Sequence, residues 1–185
     1  TVLWYPKDYV DMTPVNKAVI VFLGLFVSNP SWKFDTEHVT VISSGCIILL
    51  QLLVSNIVRN KPALPTMIAG IAMGTVGMAI LSLSTSAWVF ILGIVIFSIG
   101  EMTAHPKFYS YVGLIAPADK KALYQGYAFL YGVIGSGIGG ILGASLYVHF
   151  VDKLHQPGVL WFIFSLIGVA SIIGLLLYNR LVSGK

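Results

Sequence analysis

Glu101 and His105 are the residues of this sequence whose types and spacing promise chemistry. Four apart on a helix, they share a face, and a carboxyl beside an imidazole makes a pair that can hold or pass a proton near neutrality. The surroundings make the pair informative. The run Ile91–Ser98 (ILGIVIFS) leads straight into Gly100-Glu101-Met102-Thr103-Ala104-His105-Pro106, with no loop around the charge. A charge near the middle of a bilayer costs at least ~2.5–3.5 kcal/mol, so an ionisable residue there marks a functional site. The plainer alternative is a neutral, hydrogen-bonded packing carboxyl. Pro106 removes one backbone donor beside the pair and weakens the helix there. The expected chemistry is reversible protonation of Glu101, with His105 sharing or tuning the proton. Lys107, six residues beyond Glu101, lies on a different face. It is expected to snorkel to headgroups, with a salt bridge to Glu101 as the alternative.

Such a pair needs a membrane-embedded helix to position it, and the composition provides one. Hydrophobic residues make up 57% and charged residues 10%, with mean hydropathy +0.88. Soluble domains carry about 25% charged residues, so an all-α integral membrane protein is expected. The net charge of +4 forms no basic stripe on a polar face and gives no reason to expect nucleic acid. One cysteine, Cys46, excludes an internal disulfide. His149 and His155 flank a loop without metal-ligand spacing, and no serine stands beside a plausible base. No enzyme activity, metal or cofactor is expected. The chain opens TVLWYPKDYVD, with neither Met nor a basic leader, and reads as starting inside a longer protein.

Residues 1–36 read as an extracytoplasmic loop. It carries an apolar run at about 18–28, too short to cross a ~30 Å core at 1.5 Å per residue. An interfacial or re-entrant helix is expected there, a truncated span being the alternative. Residues 37–180 form a five-span bundle at 38–58, 63–83, 88–112, 122–149 and 159–178, and 181–185 a tail. Arg59, Lys61, Lys120, Lys121, Arg180 and Lys185 occupy alternate connections, whereas 84–87 and 150–158 carry only Lys153. The positive-inside rule places 59–62, 115–121 and 179–185 in the cytoplasm of a multi-pass cell-membrane protein.

Polar chemistry is uneven among the spans. Ser44, Gln51 and Ser55 form a stripe on the first, and Ser98, Glu101 and His105 one on the third. Gln51, Ser55, Tyr127 and Tyr131 are candidates to line a substrate cavity, although the tyrosines also suit an interfacial belt. Gly70, Gly74 and Gly77 line one face of the second span. Gly135, Gly139 and Gly143, joined by Gly132, Ser136 and Gly140, line one face of the fourth. Both suit close helix packing.

Alternation of polar with bland spans resembles the C-terminal half of a major facilitator superfamily transporter, about helices eight to twelve of a twelve-helix fold. Gly100-Glu101, Pro106, Ala116-Pro117, Gly126, Phe129-Leu130, Gly135 and Gly139-Gly140 look like the tenth-to-eleventh helix region of proton-coupled oligopeptide transporters. His105 and Lys107 depart from that family's pattern. The resemblance implies two halves rocking about a mid-membrane site, with Glu101 in the place of the glutamate tied to the peptide amino terminus. It implies proton-coupled symport of a small solute such as a di- or tripeptide. The expected partners are the lipid bilayer, that substrate and the N-terminal half of the same transporter. A transporter of another solute class, or a non-transporting membrane scaffold, is the alternative.

Overall fold

Backbone surrounded by lipid can satisfy its N–H and C=O groups only within a helix or a closed barrel, and apolar runs of this length take the helical route. The computed structural model describes residues 9–26, 33 and 37–183. Helix α1 spans Thr13–Leu23, α2 Glu37–Val58, α3 Ala63–Leu83 and α4 Ala87–Ile115. A 3-10 turn at Ala118–Lys120 leads into α5, Lys121–Leu146, which continues as a π-helical segment through Tyr147–Lys153; α6 is Pro157–Ser183. No strand forms among the described residues, and one isolated bridge joins Asp11 to Ser86. Among the described residues four stretches are long and apolar enough to cross a membrane: Ala63–Leu83, Ala87–Ile115, Ala118–Lys153 and Pro157–Leu181. The described residues form an all-helical bundle with the helix lengths and composition of a membrane protein. The remaining expected span is the 22-residue α2, whose apolar stretch among the described residues, Ser43–Val58, is shorter than those four.

The bundle is organised on the crossing of α3 and α4. A side chain at Gly70 would put its Cβ 2.6 Å from the Ala104 backbone nitrogen, and one at Gly77 would lie 2.7 Å from that of Phe97. From the other side, a Cβ at Gly100 would meet the backbone nitrogen of Gly74. Only missing side chains let the two backbones approach this closely, which multiplies dispersion contacts where lipid offers no hydrophobic drive. The small-residue face expected on the second span is thus a packing face. Helix α6 closes on α3 with Gly168 against the Thr75 side chain and Gly158 over the Ser82 carbonyl.

Helix α2 is tied to α4 by polar contacts. Ser43 Oγ and Ser98 Oγ lie 3.1 Å apart, and Ser98 is fully buried. Helix α5 leans on α4 through Gln125 Nε2, which donates to the Tyr109 carbonyl at 3.0 Å. Most of α5 is otherwise uncovered: only 6% of the apolar window in its span is buried.

Helix α1 starts earlier than expected, at Thr13, within residues read as loop. Pro14 occupies its first turn, where a missing N–H costs nothing because that group has no intrahelical partner. Asp11 accepts the Thr13 N–H at 3.0 Å, and this bond with the Thr13 hydroxyl holds the Asp11 carboxyl below the usual carboxylate range. Val10 and Val15 join Leu81, Phe90, Ile94 and Trp161 in a buried cluster. Tyr9 donates to the Val151 carbonyl at 3.2 Å. Residues 9–15, the α3–α4 turn and the end of the π-helical segment therefore gather at one end of the bundle. The stretch 27–32 lies outside the described residues.

Helices α4 and α6 run past the boundaries expected at 112 and 178, and the π-helical continuation of α5 runs past 149. Tyr, Asn and Arg accept helical geometry, so an end set by the limit of the hydrocarbon need not end the helix. At 29 residues α4 is about 44 Å long against a ~30 Å core. Pro106 lies inside it without ending it.

Candidate functional site

The site is built on the face of α4 that carries Glu101, Ala104, His105, Phe108 and Tyr111. Spacings of three and four align these residues along the helix. The α3–α4 glycine seam holds this face at fixed distance from α3, and α6 supplies the opposite wall. Two cavities result. One of about 330 Å3 is lined by α3, α4 and α6, including Gly74, Thr75, Phe97, Phe164 and Ser171. The other, about 420 Å3, is lined by Leu64, Met67, Phe108, Tyr111, Tyr131 and Tyr178 among others. Ile71, Glu101 and Ala104 belong to both.

Glu101 is exposed to these cavities rather than enclosed by the chain. The glycines bring the α3 and α4 backbones into contact on one side of Glu101 and leave the side towards α6 open. Among the described residues Glu101 accepts no hydrogen bond and forms no ion pair. His105, one turn on, lines the second cavity. Its Nδ1 lies 2.8 Å from the Tyr131 hydroxyl. Tyr131 donates when Nδ1 is bare, and the imidazolium donates in return when His105 is protonated. This bond joins α5 to α4. Aromatic rings surround it: Phe108 and Tyr131 meet edge to face with centroids 4.6 Å apart, and His105 and Tyr109 at 5.2 Å. At the far end of the second cavity Tyr111 donates to the Tyr178 hydroxyl at 3.0 Å, joining α4 to α6.

Of the residues expected at the site, Glu101, His105 and Tyr131 come together. Gln51, Ser55 and Tyr127 do not: all three are exposed and line neither cavity. Gln51 and Ser55 lie on α2, which meets α4 through Ser43, on a different part of the helix from their stripe. Tyr127 lies one turn before Tyr131 but is 61% exposed.

For the helix-packing glycines expected on α5, the contacts within this chain are few. A Cβ at Gly135 or Gly139 would meet nothing within 4 Å, while Gly143 is buried. Within this chain that face is not a packing seam. Lys107 neither snorkels nor pairs with Glu101. It is 7% exposed, and its Nζ donates to the carbonyls of Lys61 at 2.8 Å and Arg59 at 3.3 Å. Those carbonyls follow the last turn of α2, where a cation also meets the negative end of the helix dipole.

Sequence reasoning missed Tyr111 and Tyr178. The spacing 101, 104, 108, 111 would have placed Tyr111 on the Glu101 face. Nothing in the sequence pairs Tyr178 with it, since the periodicity of one helix does not say which residue of another stands opposite. No cluster of three or more His, Cys, Asp or Glu suited to a metal occurs among the described residues. Compared with family models, curated proteins and solved structures, the chain matches none of them. The likeness to the oligopeptide transporters accordingly rests on the motifs within 100–140.

Proposed function

We propose that the protein is a proton-coupled secondary transporter for a small solute bearing a cationic group, with Glu101 as the group that exchanges proton for substrate. The observation that carries this reading is a carboxyl on a membrane-length helix, without an ion-pair or hydrogen-bond partner among the described residues, opening onto two cavities at once. Keeping such a group uncompensated in a membrane is costly, and the cost is met in turn by a proton and by a substrate cation. A proton neutralises the carboxyl, and a cation within hydrogen-bonding distance neutralises it in the proton's place. Occupancy and protonation are then linked. The His105–Tyr131 bond gives α5 a means of responding to the same proton.

On this reading the cationic ends of the helices face the cytoplasm. The uncovered faces of α2 and α5 meet the other helical half that the resemblance implies. Alternating access moves the two halves about the Glu101 region. Peptides, expected from the resemblance, are one class of solute with a suitable amine.

The test is uptake of radiolabelled solutes, amines and dipeptides among them, into proteoliposomes of the full-length protein with and without an inwardly directed proton gradient. Accumulation that requires the gradient and collapses with a protonophore is the expected result. Equal uptake with and without the gradient for every solute transported would contradict proton coupling.

A further inference from the structure

The geometry points to a narrower ligand: an amine whose cationic nitrogen lies between two apolar arms, rather than at one end of a zwitterion. This rests on the reading of Glu101 as the site of the substrate cation. The two cavities are stacked along the bundle axis, and three helices agree on the order. Along α6, Phe164 and Ser171 line the first and Leu175 and Tyr178 the second. Along α4, Phe97 lines the first and Phe108 and Tyr111 the second. On α3, which runs the other way, Met78 lines the first and Leu64 the second. Glu101 stands at the junction with Ile71 and Ala104. A ligand filling both chambers therefore carries its charge mid-length.

The rest of the lining supports this chemistry. Thr75 and Ser171 donate their hydroxyls to the Ile71 and Ile167 carbonyls, so the first chamber is apolar in effect. In the second, Tyr111 is bonded to Tyr178 and Tyr131 to His105, which turns aromatic surface towards the ligand. Such surface attracts cations as well as apolar groups. Among the described residues no Lys or Arg lines either chamber. The nearest lysine along α4, Lys107, is committed to the Arg59 and Lys61 carbonyls. The carboxylate end of a peptide would meet no lysine or arginine here.

The probe is dibenzylamine, compared with dibenzyl ether, which keeps the shape without the charge, and with dialanine, whose amine is terminal. Binding of tritiated dibenzylamine to the full-length protein is expected at neutral pH, with ether and dialanine weaker by on the order of ten-fold or more. Glu101→Gln should abolish the preference for amine over ether. Ser171→Trp and Leu175→Trp each fill one chamber, and each should weaken dibenzylamine by about ten-fold, while benzylamine, with one arm, keeps its affinity in at least one of them. Should either tryptophan variant fail to fold, the three-ligand comparison on the unaltered protein decides alone. Dialanine binding as tightly as dibenzylamine in a Glu101-dependent way would overturn the two-armed ligand and leave the transporter reading standing. Amine binding indifferent to Glu101→Gln, together with unchanged gradient-driven uptake, would overturn both.

Discussion

Two charged residues of α4, six positions apart, meet opposite environments. Glu101 opens onto two cavities without a hydrogen-bond partner among the described residues, whereas Lys107 is buried with two carbonyl acceptors. The difference follows from the helical period: six residues turn the side chain well away from the Glu101 face, towards the end of α2. Glu101 was legible in the sequence because a lone carboxylate in an apolar run is conspicuous. The role of Lys107 was not, because its acceptors are backbone atoms, which every residue possesses and no motif records. Lys107→Met should destabilise the protein by about 1–3 kcal/mol, the cost of leaving buried acceptors unmet. Lys107→Arg should recover part of that loss. Thermal unfolding of the purified protein in detergent checks this, and an unchanged midpoint in Lys107→Met would remove Lys107 from the α2–α4 contact.

Between elements, the same small-residue pattern has two outcomes. Gly70, Gly74 and Gly77 on α3 bring it into backbone contact with α4, while Gly135 and Gly139 on α5 meet nothing within the chain. A stripe of glycines says that a helix can be approached closely; it does not say by what. That is why the helices and the α3 seam were readable from periodicity, while the placing of α5 and the emptiness of its seam were not. Gly70→Ala forces a methyl against the Ala104 backbone nitrogen, and overpacking of this kind costs about 1–3 kcal/mol. Gly139→Ala adds a methyl that meets nothing within this chain, and its expected effect on the packing among these helices is within about 0.5 kcal/mol. Unfolding midpoints of the two variants, measured side by side, check the assignment. A larger drop for Gly139→Ala than for Gly70→Ala would mean that the α5 face is the more tightly covered of the two.

At the scale of the whole molecule, residues 9–15, the α3–α4 turn and the end of the π-helical segment gather at one end. The cation-bearing connections alternate with them along the chain. With the positive-inside rule, a single cysteine at 119, on a background lacking Cys46, should resist a membrane-impermeant reagent applied outside intact cells, and one at 153 should react. Labelling in the reverse pattern would invert the topology. The central claim is that Glu101 couples a proton to a solute, and Glu101→Gln isolates it, since the amide keeps shape and hydrogen-bonding capacity but does not titrate. The measurement is uptake into proteoliposomes of full-length protein in two modes: uphill, driven by a pH gradient, and counterflow exchange, which needs no net proton movement. The account predicts that Glu101→Gln abolishes uphill uptake while counterflow survives in part. Uphill uptake at the unaltered rate in Glu101→Gln would contradict it and remove Glu101 from the mechanism.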